Sequence, residues 1–263
     1  MNTLSFVHYT TANQKQSGVE VIKNIRNLYP HNFYMVICDA GDDYYDVCKE
    51  YNLEYYHSQR KIGYPQEPYG YEVLQVLEFW ERFYMACLRC NTSHIMYVEE
   101  DVKLLKRVTF PEDVEIYGYD CCWPDGTKFP VTGFTDKFMD MIHEFSGVYP
   151  NVNGYGAGAC TIYKVQTFLD NFSKIKQWML DNFDYIKYNV YPKMGWQDSF
   201  GTYFYLLSGK PFTVNPHIKN VYDYDGTNQY DWYGHYEYPQ QYNFYKGIPD
   251  HVEIIHNYKA FYK

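Results

Sequence analysis

The chain has 263 residues, 46% hydrophobic and 21% aromatic, and a formal net charge of −9. That length suits one large α/β domain, or a core domain carrying a substrate-binding extension. The acidic balance excludes nucleic acid as the main partner, because phosphate backbones are repelled, and no apolar run approaches the length of a transmembrane helix.

The first segment, "MNTLSFVHYTTANQKQ", lacks the basic and long apolar regions of a signal peptide. Seven cysteines are an odd count, so the expectation is a cytoplasmic protein in a reducing compartment. Cys87 and Cys90 form a CxxC inside an apolar helical pattern with no second pair, which argues against zinc or redox chemistry there. The acidic charge still permits a small phosphorylated ligand held by a metal and a few local cations.

The elements alternate. "LSFVHYT" reads as a strand. "GVEVIKNIRNLYP" carries Val21, Ile22, Ile25 and Leu28 at helical spacing and ends before Pro30. "NFYMVICDAG" is a second strand, "DDYYDVCKEYN" a helix with acidic residues in its first turn, and "LEYYHS" a third strand. In "YEVLQVLEFWERFYMACLRC", Val73, Val76, Leu77, Trp80, Phe83, Tyr84 and Cys87 share one helical face. A fourth strand, "HIMYVEED", follows. Strand–helix alternation predicts an α/β architecture with a mostly parallel sheet flanked by helices. Ligands of such sheets sit beyond the carboxyl ends of the strands, which is where Thr10, Asp39, Ser58 and Glu99–Asp101 fall.

The second half is less regular. "TDKFMDMIHEF" places Phe138, Met141, Ile142 and Phe145 on one face, and "NVNGYGAGACTIY" is a glycine-rich turn entering a strand. "KVQTFLDNFSKIKQWML" and "GWQDSFGTYFYLLSG" read as helices, and "HVEIIHNY" as the last strand. Of 33 tyrosines, many crowd "VYDYDGTNQYDWYGHYEYPQQYNFYK". Their amphipathic rings suit sugar stacking, a membrane-proximal face or a homodimer contact, but for most of them compositional bias is the better explanation.

The most informative stretch is "HIMYVEEDVKLL", where an apolar run takes on Glu99, Glu100 and Asp101 and then turns apolar again. Carboxylates one residue apart on a strand project to the same side, so Glu99 and Asp101 pair and Glu100 faces away. Hard divalent cations such as Mg²⁺ and Mn²⁺ seek such oxygens. A solvated acidic strand end is the alternative.

With these segments in place, the sequence resembles metal-dependent glycosyltransferases of the GT-A fold, of the family 2 type. The motifs are "YVEED", with Glu in the first acidic position where Asp is more usual, then "GYGAG", "WQD" and "EIIHNYK" in that order. The resemblance implies a single GT-A domain over 1–263, with a nucleotide-sugar half (1–102) and an acceptor half with its tail (103–263). It implies Glu99, Asp101 and His256 as ligands of Mn²⁺ or Mg²⁺, Glu99 alternatively touching the ribose. Thr10, Thr11, Asp39, Arg60, Glu100 and Lys259 would contact the donor, with Lys61 beside Arg60. Gly156, Ala157, Gly158 and Trp196 would meet the sugar or acceptor, and Asp198 would be the base of an inverting transfer.

The partners implied are a nucleotide-sugar, a UDP-sugar first, and a glycan acceptor. Two rivals stand beside this reading. A nucleotidyltransferase would carry a glycine-rich loop after the first strand, where this chain has "HYTTANQKQSG". A non-catalytic sugar- or nucleotide-binding module with a decayed GT-A site would keep the pocket without turnover.

Overall fold

The computed structural model describes residues 4–10, 14–39, 41–58, 73–118, 136–149, 160–190, 207–220 and 250–256. In chain order these hold β1 (Leu4–Thr10), α1 (Lys15–Leu28), β2 (Tyr34–Asp39), α2 (Tyr45–Glu50), β3 (Glu54–Ser58), α3 (Val73–Arg89) and β4 (His94–Val98). They continue with β5 (Lys103–Leu104), β6 (Ile116–Gly118), α4 (Asp136–Ser146), β7 (Ile162–Lys164) and α5 (Val165–Asp181). A short α6 (Phe183–Tyr185) runs into a π-helical turn (Ile186–Val190), and β8 (Phe212–Val214), β9 (Ile218–Asn220) and β10 (Ile254–His256) complete the set.

The main sheet has the strand order β3-β2-β1-β4-β7-β6-β8. β1 lies parallel to both β2 and β4, and β2 parallel to β3. β7 runs antiparallel to β4 and β6, and β8 is parallel to β6. A second sheet of three short strands, β5-β10-β9, stands beside it.

Every residue of β1 and β4 is buried, as expected for inner strands covered on both faces. Alternation then divides their side chains between two cores. Val7, Tyr9, Ile95 and Tyr97 join Leu77, Trp80, Phe83 and Cys87 of α3 and Phe168 and Phe172 of α5. Leu4, Phe6, Met96 and Val98 join Val21, Ile22 and Ile25 of α1, together with Val102, Leu104 and Ile254. Among the described side chains, the helical faces read from the sequence are therefore the inward ones, except that Phe145 at the end of α4 is 37% exposed.

Two polar devices fix α1. Arg26 donates from its last turn to the carbonyls of Tyr29, Asn32, Tyr51 and Asn52, satisfying acceptors that a helix end leaves open. Gly18 packs directly against the Tyr44 hydroxyl, where a Cβ would collide, so a residue of poor helix propensity is required by close approach.

His8 of β1 is fully buried, with Nδ1 3.0 Å from the Tyr34 hydroxyl. Burial pushes its pKa down to about 3, because the imidazolium would lose its hydration. The unfolded chain, with an ordinary histidine pKa, binds this proton first as pH falls. Between roughly pH 6.5 and 3 the unfolded state therefore holds one more proton, and His8 removes about 1.4 kcal/mol of stability per pH unit of acidification. His8→Gln is expected to flatten the pH dependence of stability in this window, read from urea denaturation at successive pH values between roughly 6.5 and 4.5.

Candidate metal centre

The parallel register brings the strand ends to one edge. Thr10 pairs with Cys38, Asp39 with Ser58, and His8 with Val98. The loop after β2 is pinned at this edge. Lys15 donates its backbone N–H to Asp42 Oδ2, Cys38 Sγ donates to the Asp42 carbonyl, and Asp43 Oδ1 accepts from Tyr45 N and the Tyr55 hydroxyl. Those last two bonds hold the Asp43 carboxyl below the usual range, the Tyr45 backbone bond first. Thr10 is fully buried.

β4 stops at Val98, and Glu99, Glu100 and Asp101 occupy the turn that follows. The acids thus fall just past the strand end expected from the sequence, in a turn rather than in the strand itself. The alternation persists through the turn. Glu99 and Asp101 each present a carboxylate oxygen within 4.8 Å of the other and of a ring nitrogen of His256. Glu100 is buried at 6% exposure, on the side of Tyr44, whose phenol is pushed up by burial first and by the Glu100 charge second.

His256 reaches this point through the small sheet. β10 pairs antiparallel with β5 and parallel with β9. β5 is itself fixed to α1, since Asn24 accepts from Leu104 N at 2.8 Å and donates to Leu104 O at 2.9 Å. Just before β10, Glu253 is 4% exposed and accepts from Thr109 N at 2.6 Å and Thr109 Oγ1 at 2.7 Å. Its backbone carbonyl takes the N–H of Leu105, and its N–H goes to His217 O.

The result is His256 Nε2 lying 3.6 Å from Asp101 Oδ1. That separation is too long for a hydrogen bond, and the buried Asp101 Oδ1 accepts none among the described residues. Neighbouring ligands of one ion, with bonds of about 2.1 Å, stand about 3 Å apart. Two carboxylates and an imidazole at this spacing fit a divalent ion with small adjustments. Asp101 and His256 are largely screened from solvent, at 16% and 17% side-chain exposure.

Three further residues shape the centre and a fourth stands along the same sheet edge; sequence reasoning found none of them. Tyr97 donates its hydroxyl to Glu99 Oε1. Cys160, fully buried, has a thiol pushed up by burial and then by the charges of Asp101 and Glu99. It takes a left-handed φ of 74°, a conformation rare outside glycine, while its N–H bonds Tyr97 O. Glu253 is the third. The fourth is Arg82 of α3, 4% exposed, donating to Ser58 Oγ at the end of β3 and to Glu78. A lone arginine inside the apolar face of "FWERFY" is its only sequence signal.

Thr11, Arg60, Lys61, Gly154, Gly156, Ala157, Gly158, Trp196, Asp198 and Lys259 lie outside the described residues, and Asp39 is described only as the last residue of β2.

No protein-family model and no curated protein matches the sequence. Solved structures do match. The galactosyltransferase LgtC, in complex with donor and acceptor sugar analogues, superimposes with a TM-score of 0.51 at 10% identity, over 96% of this chain and 86% of that one. An active-site mutant of LgtC gives 0.52 at the same identity and coverage. This is the GT-A fold. TarS of S. aureus also aligns, at 14% identity and a TM-score of 0.46, over 81% of this chain but 35% of that longer one. Within the GT-A fold of this chain, the three-residue cluster sits beyond the carboxyl ends of the parallel strands, the position where open α/β sheets place their ligands.

Glu253 is the buried anchor of β10. Glu253→Ala is expected to lower the unfolding free energy by about 1–3 kcal/mol, since a charge-assisted pair of bonds to Thr109 is lost, and Glu253→Gln, which keeps an acceptor, by about half as much. Thermal melts of the two variants check the ranking.

Proposed function

We propose that the chain is a metal-dependent glycosyltransferase, moving a sugar from a nucleotide-diphosphate donor, most directly a UDP-sugar, to a hydroxyl of a glycan. The single observation that carries this reading is the meeting of Glu99, Asp101 and His256 at the ligand-binding edge of a GT-A sheet. The likeness to LgtC supports the fold, and the donor set supports the ion.

Asp101 and His256 would hold Mn²⁺ or Mg²⁺ directly, with Glu99 as a third ligand or on the ribose. The bound ion would neutralise charge on the departing diphosphate. Thr10, Thr11 and Asp39 would border the base, and Arg60 and Lys259 would meet the phosphates. Gly156, Ala157 and Gly158 would admit the sugar closely, and Trp196 would stack on it. Asp198 would take the acceptor hydroxyl's proton as its oxygen bonds the anomeric carbon and the bond to the diphosphate breaks. That step inverts the anomeric configuration; a product of retained configuration would leave Asp198 orienting the acceptor instead. Glu100, read from the sequence as a donor contact, is buried on the Tyr44 side and is better suited to holding the turn.

Thermal denaturation with Mn²⁺ and UDP tests the reading. At a ligand concentration about a hundred times the dissociation constant, linkage adds about 2.7 kcal/mol, a rise of about 5–10 °C for a chain of this size. Asp101→Ala is expected to abolish the rise, while its melt without ligand stays at or above that of the native protein because the repulsion from Glu99 is relieved. Absence of any shift across a panel of nucleoside diphosphates and divalent metals would overturn the proposal. A shift without donor hydrolysis or transfer would leave a binding module in place of an enzyme.

A further inference from the structure

We propose that Tyr97 is a positioning residue of the metal centre: its phenol sets the Glu99 carboxylate in place before any ion arrives. The inference rests on the reading of Glu99, Asp101 and His256 as ion ligands.

Tyr97 is the penultimate residue of β4 and is 2% exposed. Its ring stands edge-on to Tyr9 at 5.5 Å and to Phe79 at 6.0 Å, with Trp80 at 6.4 Å. Its backbone is held on both sides. Val7 of β1 is its parallel partner, its N–H bonds Thr161 O at 2.9 Å, and its carbonyl takes the N–H of Cys160 at 2.8 Å. A ring walled in this way has no room to change rotamer. The one polar atom of its side chain leaves the aromatic cluster and donates to Glu99 Oε1 at 2.5 Å.

Glu99 is the ligand that needs this help. It stands at the start of a turn, and its side chain has more rotatable bonds than that of Asp101. Freezing it costs conformational entropy. One hydrogen bond from a fixed phenol meets that cost in the folded state, whereas a freely turning glutamate would meet it on binding the ion. An ionised carboxylate has about four acceptor sites, so the phenol leaves room for a cation. The arrangement matches the general role of outer hydrogen bonds in metal sites, which orient a ligand and whose loss lowers metal affinity by about 10–100-fold.

The alternation that places Glu99 opposite Glu100 also explains why the supporting residue is Tyr97. Positions 97 and 99 share one side of the strand direction, and that side faces the aromatic core between β4 and α3. Val98, on the other side, belongs to the second core.

The test is Mn²⁺ affinity, measured by calorimetry and by electron paramagnetic resonance in the presence of UDP. Tyr97→Phe keeps the ring and removes only the hydroxyl. It is expected to weaken Mn²⁺ binding by about tenfold or more and to alter the resonance of the bound ion, with the melt of the ion-free protein little changed. Tyr9→Phe is the control, because its buried hydroxyl donates to Phe79 O at 2.6 Å in the same cluster; its Mn²⁺ affinity should stay within about twofold of the native value. In a Glu99→Ala background, Tyr97→Phe should add no further loss, since coupled residues are non-additive. Equal Mn²⁺ affinity in Tyr97→Phe and the native protein overturns the positioning role and leaves the metal reading standing. Equal losses in Tyr97→Phe and Tyr9→Phe, or a further loss in the Glu99→Ala background, assign the effect to packing and overturn it too. A native protein that binds no Mn²⁺ overturns both.

Discussion

The approach of His256 Nε2 to within 3.6 Å of Asp101 Oδ1 is the constraint around which the rest is arranged. Asp101 lies in the turn between β4 and β5, His256 at the end of β10, and the two are far apart in the sequence. Holding them together also holds two carboxylates, Glu99 and Asp101, within 4.8 Å of one another. At an effective dielectric of about 20, two full charges at that distance repel by about 3 kcal/mol. His256 is kept beside these charges by the Glu253–Thr109 bonds, by the paired bonds between Asn24 and Leu104, and by the apolar packing of Ile254 with Leu104 and Val102. The small sheet β5-β10-β9 is thus the clamp that brings His256 to the two acids.

The shape of the sequence "YVEEDVKLL" follows from this clamp. β4 is buried on both faces, so its residues are apolar up to Val98. The acids then occupy a turn whose two sides differ. Glu99 and Asp101 face His256, and Glu100 goes beneath the turn towards Tyr44. The chain becomes apolar again because it re-enters a core at once, with Val102 and Leu104 each 1% exposed and packed with Val98 and Ile254. One short segment therefore passes from one buried strand to another through a charged corner.

Much of this is legible in the sequence, and the reasons are specific. β1 to β4 and α3 stand out because inner parallel strands read as unbroken apolar runs and covering helices keep a strict apolar face. Acid alternation separates Glu100 from its neighbours correctly in geometry. β5, β6, β8 and β9 escape a sequence reading, since two or three residues are too few to show a period. The meeting of His256 with Asp101 is implied by family resemblance and not by any local pattern; a contact between a turn and a strand end distant in sequence leaves no periodic trace. Tyr97, Glu253 and Cys160 escape for a related reason. Each acts through an individual hydrogen bond, carboxylate or backbone angle, which composition and spacing do not record.

The charges of the cluster bear on the kind of ligand it suits. The protein as a whole is acidic, and the buried cation at this edge, Arg82, is engaged with Ser58 and Glu78. Two carboxylates alone would repel a diphosphate. Two carboxylates around one dication are neutral, and the imidazole adds a ligand without adding charge. On the proposed reading, an ion held by Glu99, Asp101 and His256 would remove the electrostatic objection to the donor's phosphates. One imidazole among oxygens also suits Mn²⁺ better than Ca²⁺, which gathers about six to eight oxygens. On that reading, charge balance asks only for a dication, and the imidazole is what narrows the choice.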